Sequence, residues 1–306
     1  MKKALVVYYS QSGQTKEIAD TIIKPLNSNF EIVYEELKPL PPYPFPWTGM
    51  SFFQTFPESV KEIPCQLEPF KFNPDENFDL IVLAFQVWYL SPSLPVSSFL
   101  QSAQGKRVLK NKPVVTIQGV RNMWVMSQER IKKRIRDAGG NLIGNIVLYD
   151  KNPNLVSVIT IVKWMTTGEK HGKGLYAKIF PPSGVVDKDI QEAGKFGHVI
   201  LNAFQSGNLS QMQDHLIKEG AVKVNPVLAS IEKRGRVMFE IWSKFILKKG
   251  SYNSPERVAR LKLFKYYLFA VIYLVSPIVS MLFYIAHKIN FRGKKKLVEY
   301  YSHNDS

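Results

Sequence analysis

Cysteine is almost missing: the chain of 306 residues has one, Cys65. A single thiol excludes an internal disulfide and suits a reducing compartment. No His or Asp motif accompanies it, so it reads as a packing residue rather than a nucleophile, and no metal site is expected. Acidic residues are scarce beside basic ones, 25 against 41, which leaves a net charge of +16. Such an excess implies an acidic partner, with nucleic acid and an anionic membrane surface as the usual candidates. The N-terminus offers two lysines but only a short apolar run, too short for the core of a secretion signal. Two phosphate-binding signatures are also absent: there is no Gly-x-Gly-x-x-Gly fingerprint and no lysine placed as in a Walker loop.

What is present describes a folded chain. Hydrophobic residues make up 45% and aromatics 12%, and the length can bury a substantial core. Residues 4–9 form a continuous, partly β-branched apolar run, as a buried parallel strand does. Ile18, Ala19, Ile22, Ile23 and Leu26 recur at helical spacing over 15–26. Strands are predicted at 30–36, 79–85, 113–118 and 141–149. Helices are predicted at 127–138, closed by Gly139 and Gly140 as a glycine C-cap, and at 186–204. Strands alternating with helices specify an α/β fold with a doubly wound parallel sheet of five strands. The expected division is a domain over 1–205 and a helical C-terminal extension over 206–306.

Two segments depart from that pattern. Residues 37–76 hold nine prolines together with Tyr43, Phe45, Trp47, Phe52, Phe53 and Phe56. A connection this long is functional or disordered, and the aromatics argue against disorder. It is read as an ordered insertion covering a site. Residues 266–286, YYLFAVIYLVSPIVSMLFYIA, carry no formal charge over 21 positions, long enough to cross a bilayer as a helix. Lys248, Lys249, Arg257, Arg260, Lys262 and Lys265 precede them, and Lys288, Arg292, Lys294, Lys295 and Lys296 follow. Much of the excess charge therefore lies over 248–297, which moves the expected partner from nucleic acid to an anionic membrane. The alternative is a buried core helix. Basic flanks on both sides fit poorly with a single span, and Pro277 should kink or break the helix. A re-entrant or monotopic insertion accommodates both observations, with a single C-terminal span as the other possibility.

The candidate site begins at Ser10-Gln11-Ser12-Gly13-Gln14-Thr15, between the first strand and first helix. An α/β sheet offers its ligand crevice there, and a phosphate would meet unpaired amides at a helix N-terminus. Ser10, Ser12 and Thr15 add hydroxyls, and Gly13 admits close backbone approach. A mononucleotide phosphate held by neutral donors fits best. An ordinary Ser/Gly turn is the alternative if the motif stood alone. Two further loops accompany it: Gln86-Val87-Trp88-Tyr89 and its continuation to Pro95 after the third strand, and Gly119-Val120-Arg121-Asn122-Met123-Trp124 after the fourth. Taken singly, Trp88 and Trp124 could be core residues.

The pattern S-x-S-G-x-T after a first strand is similar to the flavodoxin phosphate loop, which binds the phosphate of FMN. In that family the loops after strands three and four hold the isoalloxazine ring. The resemblance covers about residues 1–205 and implies a flavodoxin-like fold with FMN as cofactor. It implies binding by Ser10, Ser12, Gly13, Gln14, Thr15, Gln86, Val87, Trp88, Tyr89, Gly119, Arg121, Asn122 and Trp124. With YYSQSGQTKEIAD, FQVWYLSPSLPV, GVRNMWVMSQE and the long tail, the layout resembles the flavoprotein of bacterial dialkylresorcinol and aryl-polyene (flexirubin-type) pigment pathways. That family's implied role is oxidation of a dialkylcyclohexane-1,3-dione to a dialkylresorcinol, an aromatase step after a partner ketosynthase has built the ring. A lipid-like substrate and a place on the cytoplasmic side of the inner membrane follow. The rivals are an NAD(P)H-dependent flavin or quinone reductase and a membrane-tethered electron carrier. Tyr89, Lys170 and His171 are candidate proton acceptors by chemistry alone, with His171 read first as a solvated loop residue. His198 and His215 fall in helical patterns and read as surface or packing residues.

Overall fold

The computed structural model describes residues 1–304. Five parallel strands form its main sheet: β1 (Lys2–Tyr8), β2 (Phe30–Glu36), β3 (Leu80–Phe85), β4 (Pro113–Val120) and β5 (Asn141–Tyr149). Their spatial order is β2-β1-β3-β4-β5, the doubly wound arrangement of the flavodoxin type, whose chain direction switches between β1 and β3. Strands β1 and β3 lie inside the sheet, and Leu5, Val6, Leu80, Ile81, Val82 and Leu83 are fully buried. This is why both strands read as unbroken apolar runs. β2 and β5 follow the expected residues throughout, and the other boundaries move by one or two.

Helices cover both faces. On one, α1 (Gln14–Ile23) packs with α5 (Gly194–Ser206), and Ile18, Ile22, Phe196 and Ile200 share a core with Val6, Val82 and Ile117. On the other, α2 (Leu94–Gln101) and α3 (Val125–Asp137) bury Val96, Phe99, Ile131 and Ile135 against Leu5, Leu83 and Val114. The helix α4 (Asn154–Thr167) follows β5. The helix expected over 186–204 is two, Asp187–Glu192 and α5, separated at Ala193. Gly197 sits where α5 crosses α1: an added Cβ would lie 2.0 Å from the Ile22 carbonyl oxygen.

Beyond residue 205 the chain stays in the same core. Met212 and Leu216 of α6 (Met212–Lys218), with Ala221 and Val222, belong to the cluster that contains β1 and β4. The Val147 amide donates to the Ala221 carbonyl at 2.8 Å. A boundary at 205 thus matches no gap in packing. The C-terminal helices are α7 (Pro226–Leu247), a helical run Pro255–Ile289 here called α8, and α9 (Phe291–Ser302). α8 has 35 residues, about 50 Å at 1.5 Å per residue. Pro277 neither breaks nor ends it. Residues Val271–Val275 widen to a π turn just before Ser276-Pro277, which absorbs the amide that proline lacks.

α7 and α8 run antiparallel along each other. Phe239 and Trp242 meet Phe264 and Tyr267 at one end. At the other, Arg234 lies over the Phe283 ring at 4.4 Å and Ser230 Oγ is 3.0 Å from His287 Nε2. Many apolar side chains of the two helices are bare, Val237, Ile241, Tyr266, Leu274, Ile278, Met281, Leu282, Tyr284 and Ile289 among them, while α7 also exposes Lys233, Arg234, Arg236 and Lys244. None of the most apolar stretch of α8 is buried, which removes the core-helix alternative. One flank assignment changes. Arg257 is not a surface charge but fully buried, paired with Glu58 at 2.6 and 2.9 Å and donating to Gln54 Oε1 at 2.8 Å.

Candidate functional site

The loops that follow β1, β3 and β4 meet at the carboxyl end of the sheet. There they enclose a cavity of about 130 Å³ lined by Ser12, Gln14, Thr15, Gln86, Val87, Trp88, Gly119 and Arg121. All eight are positions the sequence singles out. Its remaining walls are Gln11, Phe45, Trp47 and Phe52 from the N-terminal loop and the insertion, with Val120, Ile161, Trp164, Met165 and Gly184.

The polar end is the start of α1. Gly13 holds the N-cap in the left-handed region, φ 88°, a conformation glycine adopts without steric cost. Ser10 Oγ accepts from the Lys16 amide at 3.2 Å. Ser10 therefore caps the helix and does not line the cavity. The amides of Ser12, Gly13, Gln14 and Thr15 have no partner among the described residues, nor has the Thr15 hydroxyl, although Thr15 is only 3% exposed. Unsatisfied donors at a helix N-terminus, with the dipole behind them, are a seat for an anion. Gln14 itself is committed elsewhere, bonding the Val185 carbonyl at 3.0 Å and amide at 3.1 Å. That clamp holds Gly184 against the site, where a Cβ would lie 2.7 Å from both Gln14 Oε1 and Trp164 Cζ3.

The other end is aromatic. Trp88 is edge-on to Tyr9, Tyr43 and Trp47 at centroid distances of 5.8, 5.2 and 5.5 Å, and Phe45 meets Trp164 at 6.4 Å. The insertion packs over this end of the cavity through Phe45, Trp47 and Phe52. Its Trp47 amide donates to the Met165 carbonyl at 2.7 Å, and Gln11 Nε2 donates to the Pro44 carbonyl at 2.8 Å. A planar ligand would be flanked by indoles and shielded from water. The cavity is smaller than a mononucleotide-sized ligand requires, so the cover would have to shift outward to admit one while still lying over it.

Arg121 lies between the two ends. Its Nη1 donates to Asn154 Oδ1 at 2.8 Å, and among the described residues it has no carboxylate within ion-pair distance. Desolvation lowers its pKa to about 10, opposed by Asp150 and Glu232. Glu232, from α7, is fully desolvated and accepts from the Trp124 and Met126 amides at 3.0 Å each. Burial raises its pKa to about 8 against those bonds.

Several expected site residues lie elsewhere. Trp124 is 2% exposed and sits in the core, just ahead of α3. Asn122 turns to Asn154 Oδ1 at 3.0 Å, and both Asn122 and Trp124 line a neighbouring cleft against α7 and α8. Tyr89 points away from the cavity, stacking on Phe52 at 4.5 Å and donating to the Phe52 carbonyl at 3.1 Å. Its burial raises the phenol pKa well above the usual value, so it is a poor proton acceptor. His171 is exposed, and Lys170 is ion-paired with Asp187. Neither lines the cavity. Cys65 packs with its Sγ 3.3 Å from Ser98 Oγ, and burial raises its pKa. The residues missed by the sequence, Ile161, Trp164, Met165 and Gly184, come from α4 and the loop before α5. An apolar helix with one tryptophan after β5 was their only sign.

No family model matches the chain, and no curated protein matches it. Solved structures do. A Lactobacillus acidophilus flavoprotein in complex with FMN is 22% identical, covers 48% of this chain and 93% of its own, and has a TM-score of 0.38. A Bacteroides eggerthii flavoprotein is 19% identical over 48% of this chain and 89% of its own, TM-score 0.39. An archaeal flavodoxin is 16% identical over 64% and 93%, TM-score 0.33. The assignment of the fold rests on the strand order itself.

Proposed function

We propose that the chain is an FMN-dependent oxidoreductase, attached to a membrane surface, that oxidises a dialkylcyclohexane-1,3-dione to a dialkylresorcinol. The observation that carries the flavin is the meeting of four free amides and the Thr15 hydroxyl with an indole-walled slot at the topological switch point. The α1 amides with Ser12 and Thr15 would hold the phosphate, and Gln86, Val87, Trp88, Gly119 and Arg121 would face the ring. Bound there, FMN supplies a two-electron acceptor for hydride.

The substrate comes from the sequence resemblance, and the site suits it. Conversion of the dione to the resorcinol removes two electrons and two protons, and enolisation is its easy part. Arg121, a desolvated guanidinium with no ion pair among the described residues, would favour the enolate electrostatically. The cover of Tyr43, Phe45, Trp47 and Phe52 would exclude water from the reacting carbon. A ketosynthase partner would supply the ring.

The bare outer faces of α7 and α8 support attachment, since exposed apolar surface of this extent marks an interaction site. Clusters of Lys248, Lys249, Lys262 and Lys265 at one end and Lys288, Arg292, Lys294, Lys295 and Lys296 at the other suit an anionic leaflet. Because α8 is packed along α7, a spanning α8 would carry Lys233, Arg234 and Arg236 of α7 into hydrocarbon, which is costly. Insertion in the plane of one leaflet, the cytoplasmic one, avoids this cost.

Anaerobic mixing of the purified full chain with dione tests the proposal: bleaching of bound FMN with one resorcinol formed per flavin is expected. Oxidised flavin and no resorcinol would overturn it. Rapid bleaching by NADPH without dione would establish the reductase reading instead, and reduction that halts after one electron the carrier reading. Thr15→Val should weaken FMN binding at least about tenfold in a fluorescence titration, because it removes a hydrogen bond to a charged group.

A further inference from the structure

A second cavity of about 230 Å³ lies behind the first, sharing Val87 and Arg121 as a common wall. Its near end is polar, formed by Arg121, Asn154 and Glu232. Away from that end it is apolar: Leu90, Ile231 and Phe239 face Leu268, Val271 and Ile272. The last three belong to α8, two of them in its π turn, while Tyr273, Leu274 and Val275 of the same turn are exposed. The widened turn therefore forms the cavity wall with one side and the bare apolar surface with the other. Gly235 of α7 also lines the cavity, and a Cβ there would already lie 3.3 Å from Leu90 Cδ1. A larger residue would fill the space.

We propose that this cavity receives an unbranched alkyl chain of the substrate, entering sideways from the lipid phase past the π turn of α8. The polar ring would then lie at the Arg121 wall, next to the flavin slot. The occupant is argued from the cavity's own layout: mostly apolar along the α7 and α8 walls, with Ser276 the one polar residue that α8 contributes, and charged only at the Arg121 and Glu232 end that abuts the redox site. Glu232 is not offered as a base, since both its oxygens are held by the Trp124 and Met126 amides. The inference rests on the proposed function for its ring and its redox site, but not for chain binding itself.

The test uses the full chain in lipid nanodiscs, with empty nanodiscs correcting for partition. Methyl-, propyl-, pentyl- and heptylresorcinol are titrated by tryptophan fluorescence, with FMN content read separately by absorbance. Affinity should rise with chain length by up to about fourfold per methylene until the cavity is full. Val271→Trp and Gly235→Phe should flatten that dependence while FMN content stays at the wild-type level; Leu274→Ala, outside the cavity, should leave the slope unchanged. An equal slope in wild type and Val271→Trp, or no slope in wild type, would overturn the inference. Should Gly235→Phe fail to fold, Val271→Trp alone decides. A chain-length slope in protein that binds no FMN would uphold this cavity and overturn the flavoprotein reading. FMN binding without a slope would do the reverse.

Discussion

Tyr89 and Leu90 are the two central residues of a tight hairpin, with Val87–Trp88 paired to Ser91–Pro92. Both sit at positive φ, 50° and 60°, where two-residue hairpins normally place Asn and Gly. Such backbone costs of order 1–3 kcal/mol per bulky residue and is retained because the side chains pack, Tyr89 on Phe52 and Leu90 against α7. Tyr89 is therefore a positioning residue for the cover. Tyr89→Phe should lose about 1 kcal/mol of stability in chemical denaturation and leave kcat within about twofold, whereas a general base would cost about a hundredfold or more. Glu232 makes a second prediction at this scale. Its folded pKa is raised from an ordinary 4.5 to about 8, so the native state holds a proton that the unfolded chain releases. The stabilising contribution is complete below about pH 4.5 and is lost as pH rises to about 8. Wild type should thus lose a few kcal/mol relative to Glu232→Gln across that window, measured by denaturant unfolding at fixed pH steps.

At the scale of elements, the insertion is held down from the C-terminal end of the chain. Gln54 and Glu58, in its two short helices, grip the buried Arg257 at the start of α8. Phe56 stacks on Phe264 of α8 at 3.7 Å. Arg130 of α3 adds a bridge to Glu62 at 3.1 Å and another to Glu240 of α7 at 3.4 Å. Breaking one side of a buried ion pair leaves the other uncompensated. Arg257→Met should therefore cost about 3–5 kcal/mol, and adding Glu58→Leu should restore most of it, read as a double-mutant cycle in thermal unfolding. The same coupling links the cover over the site to the helix that carries the apolar surface. The sequence displays the aromatics of 37–76 and so the expectation that they pack over a site. Their clamp is invisible there because its two halves lie about two hundred positions apart.

At the scale of the whole molecule, the site, the cavity that shares its Val87 and Arg121 wall, and the exposed apolar side chains of α7 and α8 lie in sequence from the carboxyl end of the sheet outward. Vesicle co-sedimentation checks the last step. The chain should bind vesicles rich in anionic lipid and bind neutral ones less. Exchanging Lys294, Lys295 and Lys296 for Gln should weaken the anionic binding by about 1 kcal/mol per charge, with the effect shrinking at high salt.

The strands and the α1 loop were legible from the sequence because both are local. An unbroken apolar run dictates a strand buried on both faces, and Ser-Gly-Gln-Thr at its end leaves amides free whatever the rest of the chain does. The aromatic cover and the apolar, basic-flanked tail were legible for the same reason, as composition. Contacts decided the rest. Trp124 and Trp88 look alike in sequence, yet packing against α7 sends Trp124 into the core while the hairpin turns Trp88 to the slot. That α7 packs along α8 is visible only in the fold, and the cavity behind Arg121 exists only where three distant segments meet. Periodicity reports how one segment meets its surroundings. Which segment supplies those surroundings is a property of the folded chain alone.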